Sequence, residues 1–74
     1  MTLQELLGVM DQLQVVEIVD WEDKHRVGLA GELYMALPSY MPSLANSVVT
    51  YMQSNQTMLD GRKRKALEID VTRG

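Results

Sequence analysis

The 74-residue chain has no cysteine and a single histidine, His25. No disulfide can brace its core, no thiolate can hold zinc, and one histidine cannot supply an ordinary zinc site. The absence of cysteine is compatible with a reducing compartment. Phenylalanine is missing as well, while methionine occurs six times. Methionine fills irregular gaps but specifies them loosely. No apolar run approaches the ~20 residues of a membrane span. No basic segment leads into an apolar stretch, so no secretion signal and a cytoplasmic protein are expected. The formal charge is −3 and the pI about 4.9. That balance argues against a general nucleic-acid binder, which is usually basic.

What is present describes one small globular domain. A hydrophobic fraction of 46% is too high for a disordered chain. A domain of this size buries roughly 60% of its unfolded surface. Small cores without disulfide or metal are commonly completed by a partner chain, so a homodimer or larger homo-oligomer is expected. Thr2 and Glu5 have the spacing of a capping box. Leu3, Leu6, Leu7, Met10 and Leu13 share one helical face, predicting a helix from about residue 3 to residue 10. Gly8 weakens that helix and is expected to let it approach a strand.

Beyond the helix the period changes to two, the signature of half-buried strands. Strands are predicted at residues 15–20 and 25–35, with Gly28 and Gly31 marking a bulge or a close approach in the second. Pro38 and Pro42 bracket an irregular crossover over residues 37–47, with room for one helical turn starting at Pro42. Residues 48–53 fit helix or strand, and their Val, Thr and Tyr content favours strand. Asp60-Gly61 is a strong hairpin turn, followed by a strand at residues 66–71. A two-residue turn without a bulge sets Ile69 opposite Met52, Asp70 opposite Tyr51 and Val71 opposite Thr50. Met52 then joins the core and Tyr51 faces out. Residues 72–74 are expected to fray. The fold class is α+β: a short N-terminal helix on a twisted four-stranded antiparallel sheet, with twist enough for a barrel-like closure.

No nucleophile–base or metal constellation is apparent, so no enzyme activity and no cofactor are expected. Glu68 and Asp70 lie ~7 Å apart on one strand face; they could act as an acid–base pair, but a solvent face is the ordinary place for such charge. His25, between Lys24 and Arg26, reads as an exposed strand-end residue rather than a catalytic base. Arg62, Lys63, Arg64 and Lys65 follow the turn and project from one hairpin arm. They could contact phosphate or an acidic protein surface, or simply guard a strand edge. Because extended residues alternate, only two of the four share a face. Trp21, Tyr40 and Met41 sit at turn and crossover positions, where large side chains anchor interfaces or cap a core. With Met35, Met58 and Leu59 they could form an exposed patch.

The opening Met1-Thr2-Leu3-Gln4-Glu5-Leu6-Leu7, the segment Val15-Val16-Glu17-Ile18-Val19-Asp20 and the ending Leu67-Glu68-Ile69-Asp70-Val71 resemble short proteins of Gram-positive phages and mobile elements. Trp21 and the basic run after Asp60-Gly61 depart from that pattern. The resemblance implies a non-enzymatic interaction protein that binds and inhibits a host protein in the bacterial cytoplasm, an immune-defence component for example. It carries no catalytic residues. Two alternatives stand beside it: an oligomer that sequesters a nucleotide or small ligand with Arg62, Lys63 and Arg64, or a phage structural or assembly subunit.

Overall fold

The structure, a computed structural model, describes residues 1–73. Its elements are α1 (Leu3–Val9), β1 (Val15–Val19), β2 (His25–Leu29), α2 (Ala30–Tyr40), α3 (Pro42–Ala45), β3 (Val48–Leu59) and β4 (Arg62–Thr72). The capping box forms as read. The Glu5 N–H donates to Thr2 Oγ1 at 3.2 Å, and the Thr2 N–H donates to Glu5 Oε1 at 2.9 Å. Helix α1 buries Leu3, Leu6 and Leu7.

The second strand stops at Leu29, not at residue 35, and a helix takes over. The alternation Val27, Leu29, Gly31, Leu33 looked like a strand. Ala30, Leu33 and Leu37, however, also fit helical spacing, and these three turn toward the core. The loop before β1 decides between the two periods. Its carbonyls at Gln14 and Gln12 accept the N–H groups of Ala30 and Gly31 at 2.9 and 3.0 Å, satisfying the first turn of α2. Gly31 is required by this contact, since a Cβ there would stand 2.8 Å from the Gln12 Cβ. Gly8, expected to meet a strand, instead meets α2 at the Tyr34 ring.

The stretch read as an irregular crossover is mostly helical. Pro38 sits inside α2, where it cannot donate to the carbonyl of Tyr34 four residues earlier. The Gln4 side-chain amide donates to that carbonyl at 2.9 Å, so α1 supplies the missing bond. Pro42 opens the short helix α3, as its fixed φ favours.

The sheet order is β2-β1-β4-β3. The outer pairs are antiparallel, but β1 and β4 are parallel, with Val16 beside Leu67 and Ile18 beside Ile69. The sheet is therefore mixed rather than antiparallel. The helical crossover is the reason: it returns the chain to the same end of the sheet, so β3 starts in the direction of β2. No barrel closes. β2 and β3 approach at a few positions without pairing.

All three helices pack on one face, where Leu3, Leu7, Val16, Ile18, Leu44 and Ile69 are nearly inaccessible. Residues 48–53 are strand, and both β3 and β4 run longer than expected. Asp60 and Gly61 have φ of 54° and 75°, as a two-residue type I′ turn requires. Leu59 faces Arg62, Met52 faces Ile69 and Tyr51 faces Asp70 as read. An irregularity between Val49 and Tyr51 then sets Val71 opposite Val49 instead of Thr50. Met52 does not join the core. It shares the face of Ile69, but it lies on the edge strand and is 46% exposed. Thr72, expected to fray, is the last residue of β4, and Gly74 lies outside the described residues.

Candidate functional site

β1 pairs with β4 only from Leu67 onward, while β3 and β4 stay paired to the turn. Residues 55–65 therefore form a two-stranded arm with no third strand beside it. Arg62, Lys63, Arg64 and Lys65 are all exposed on the β4 strand of this arm. The register puts Arg62 and Arg64 on the face that the helices leave open, beside Leu59 and Thr57, and Lys63 and Lys65 on the opposite face, beside Met58 and Gln56. The arm contains four basic residues and one acid, a charge of +3 within a chain of −3, so the body carries −6. Opposite charges are thus concentrated at different places, which is what steers a charged partner.

The structure brings Trp21, Tyr40 and Met41 together at one shallow depression, with Arg26 and Asp20. Trp21 and Met41 pack partly on the core. Tyr40 is 83% exposed. The Arg73 guanidinium lies 4.9 Å from the Trp21 ring centre, a cation–π arrangement. The Trp21 Nε1 is buried without an acceptor. In the same depression, Asp20 organises the β1–β2 turn. Its Oδ1 accepts from the N–H groups of Glu22 and Lys24 at 2.8 and 3.0 Å, and its Oδ2 accepts from Arg26. Burial alone would push the Asp20 carboxyl up, but the Arg26 guanidinium and the two N–H groups hold it below its ordinary value.

Trp21 stacks on Arg73 past the C-terminal end of β4, and the basic run begins the same strand. The arm and the Trp21 depression are therefore at opposite ends of the sheet. Met58 and Leu59 belong to the arm, and Met35 lies on α2 beside Gly8, Gln12 and Tyr34. These residues therefore do not join Trp21, Tyr40 and Met41 in the single patch that they could have formed.

Folding also gathers an acidic cluster on the sheet face away from the helices. Glu17 stands beside Glu68 in the parallel register, and His25 Nδ1 lies 2.7 Å from Glu17 Oε2. The Glu17 carboxylate holds the imidazole pKa above its ordinary value. Glu68 accepts from Gln53 and Asn55 at 3.1 and 3.0 Å. Burial and the neighbouring Glu68 push the Asp70 carboxyl up, and Asp70 Oδ1 has no hydrogen-bond partner. In the sequence His25 was weighed alone and Glu68 and Asp70 as a pair, without a link between them. Glu17, the residue that links His25 to the carboxylates, was not singled out. Its even spacing from Val15 and Val19, on the face opposite Val16 and Ile18, was the available signal. Asp20 and Arg73 were also missed, although an aspartate opening the run Trp21-Glu22-Asp23-Lys24 suits a side-chain-capped turn.

Comparison with known protein families, curated proteins and solved structures finds no match. Among the described residues no cluster of histidine and carboxylate side chains could hold a metal ion, and no helix is long and apolar enough to cross a membrane.

Proposed function

We propose that this chain is a non-enzymatic binding protein that engages another protein through its basic arm. The carrying observation is the arm itself: a ribbon with exposed positive charge on both faces, extending past the rest of an acidic body. Positive charge presented this way raises encounter rates with an acidic surface and disfavours like-charged partners. Tyr40 at the other end offers a second contact, backed by Trp21 and Met41. The resemblance to small phage proteins supports a bacterial host protein as the partner, blocked by occlusion of its surface, with immune defence as the system affected.

The test is affinity capture from a Gram-positive lysate, read by mass spectrometry. The wild type is compared with a variant carrying alanine at Arg62, Lys63, Arg64 and Lys65, and with Tyr40→Ala. A protein held by the wild type, released by moderate salt and lost in the arm variant is the expected result. Retention by the arm variant with loss in Tyr40→Ala would move the contact to the Trp21 end. Failure of all three to retain any specific protein would overturn the proposal in favour of a ligand-sequestering or structural role.

A further inference from the structure

The two free edges of the arm are guarded differently. The β4 edge carries Arg62, Lys63, Arg64 and Lys65, charges that discourage strand addition. The β3 edge has no such defence: Val48–Leu59 contains neither a charged residue nor a proline over 12 residues. Its first positions are already paired on that side by the chain's own N-terminus. Thr2 bridges Val48, and the Val49 N–H donates to the Met1 carbonyl at 3.0 Å. Beyond the irregularity no strand lies beside residues 51–59, and of their outward N–H groups that of Gln56 is held by the neighbouring Asn55 Oδ1 at 2.8 Å, a local bond that a second strand would replace.

That free segment is symmetric in polarity. It reads Tyr51, Met52, then Gln53, Ser54, Asn55, Gln56 and Thr57, then Met58 and Leu59. Apolar pairs end it, polar residues fill it, and Asn55 is its centre. Tyr51, Met52 and Met58 are 54, 46 and 56% exposed. We infer that β3 pairs antiparallel with β3 of a second copy across a two-fold axis at Asn55, joining two four-stranded sheets into one. This inference is independent of the proposed contact through the basic arm.

Three features select this arrangement. The first is the hydrogen-bond parity. The type I′ turn makes Leu59 and Arg62 a hydrogen-bonded pair, and pairs alternate from there. The N–H and C=O groups of Met52, Ser54, Gln56 and Met58 therefore point away from β4. In the two-fold register Ser54 meets Gln56 and Met52 meets Met58 of the second copy, so outward groups meet outward groups. The second is side-chain matching. Tyr51 meets Leu59 of the second copy and Gln53 meets its Thr57, which covers the exposed apolar residues. The third is charge. Arg62 lies beside Leu59 and Asp70 beside Tyr51, so the row across both copies runs from Arg62 to the second copy's Asp70. The next row runs from Arg64, through Thr57 and Gln53, to the second copy's Glu68. Antiparallel pairing thus sets each basic arm alongside the acidic half of the other sheet. Parallel pairing would set the two basic arms side by side.

The full chain, of 8.4 kDa, is to be examined by sedimentation equilibrium, with dimer mass expected. Gln56→Pro removes an outward N–H that β4 does not use, and a monomer with unchanged far-UV circular dichroism is expected. Asn55→Cys supplies the only thiol, at a non-hydrogen-bonded pair with Cα atoms ~4.5 Å apart, within disulfide reach. Gln53→Cys is the control, because its two copies lie ~13 Å apart in this register. Mild oxidation is expected to cross-link Asn55→Cys about tenfold or more faster than Gln53→Cys. A wild type that stays monomeric at its solubility limit would overturn the inference. So would equal cross-linking of the two cysteine variants, or a folded Gln56→Pro that remains dimeric.

Discussion

Replacing Asp20 tests whether one carboxylate organises the Trp21 end of the molecule. In Asp20→Ala the N–H groups of Glu22 and Lys24 lose a charged acceptor, and Arg26 loses its partner. A hydrogen bond to a charged group contributes about 1.5–3 kcal/mol when both partners are buried. Glu22 and Lys24 are exposed and regain water, and the Arg26 side chain is 26% exposed, so each contribution falls toward the low end. The expected total loss is about 2–3 kcal/mol, a large part of the ~4–11 kcal/mol available to a domain of this length. Asp20→Asn keeps the Oδ1 acceptor for Glu22 and Lys24 but replaces Oδ2 with an amide donor, losing the Arg26 bond together with the charge, so about 1–2 kcal/mol is expected. The assay is urea unfolding followed by the fluorescence of Trp21, the one tryptophan. The pH dependence supplies a sign. The folded carboxyl lies below its unfolded value, so its contribution is fully present above about pH 4 and is lost as pH falls through the folded value. The gap between wild type and Asp20→Asn should therefore close on acidification. A loss below about 0.5 kcal/mol in Asp20→Ala, the range of an ordinary surface change, would refute the reasoning. So would a gap that stays constant to low pH.

Two further expectations follow from the same geometry. The Asp70 carboxyl is held above its ordinary value by burial and by Glu68, so its ionisation opposes folding at neutral pH. Asp70→Asn should raise the melting temperature at pH 7, with the gain vanishing below the unfolded aspartate pKa, and a lowered melting temperature at pH 7 would contradict this. Gly31→Ala and Gly8→Ala both put a Cβ 2.8 Å from another atom, but those neighbours differ. At Gly31 the obstacle is the Cβ and backbone of Gln12, so a loss of about 1–3 kcal/mol is expected. At Gly8 it is the edge of the partly exposed Tyr34 ring, which can move, and the gain in helix propensity of about 1 kcal/mol brings the net change near zero. Denaturant midpoints of the two variants measure the difference.

Local chemistry was readable along the chain wherever neighbours in sequence decide the outcome. The capping box needs only Thr2 and Glu5, and the type I′ turn only Asp60 and Gly61, whose φ values confirm it. The turn then set the pairing of Leu59 with Arg62 and, six positions on, of Gln53 with Glu68. The alternation of the basic run placed Arg62 and Arg64 on one face and Lys63 and Lys65 on the other.

Decisions taken between distant residues could not be read this way. Ala30 and Leu37 serve a helix because carbonyls of the loop before β1 accept its first N–H groups, and Pro38 stays inside because Gln4 answers the carbonyl it strands. Those bonds are invisible to any periodicity, and together they turned an expected strand and loop into a crossover helix. The crossover in turn made β1 and β4 parallel, which brought Glu17 beside Glu68 and moved the basic arm to the opposite end from Trp21. The sequence alone determined where charge and turns would lie along each strand. Only the tertiary structure decided which strands would be neighbours, because that choice depends on hydrogen bonds and packing between residues far apart in the chain.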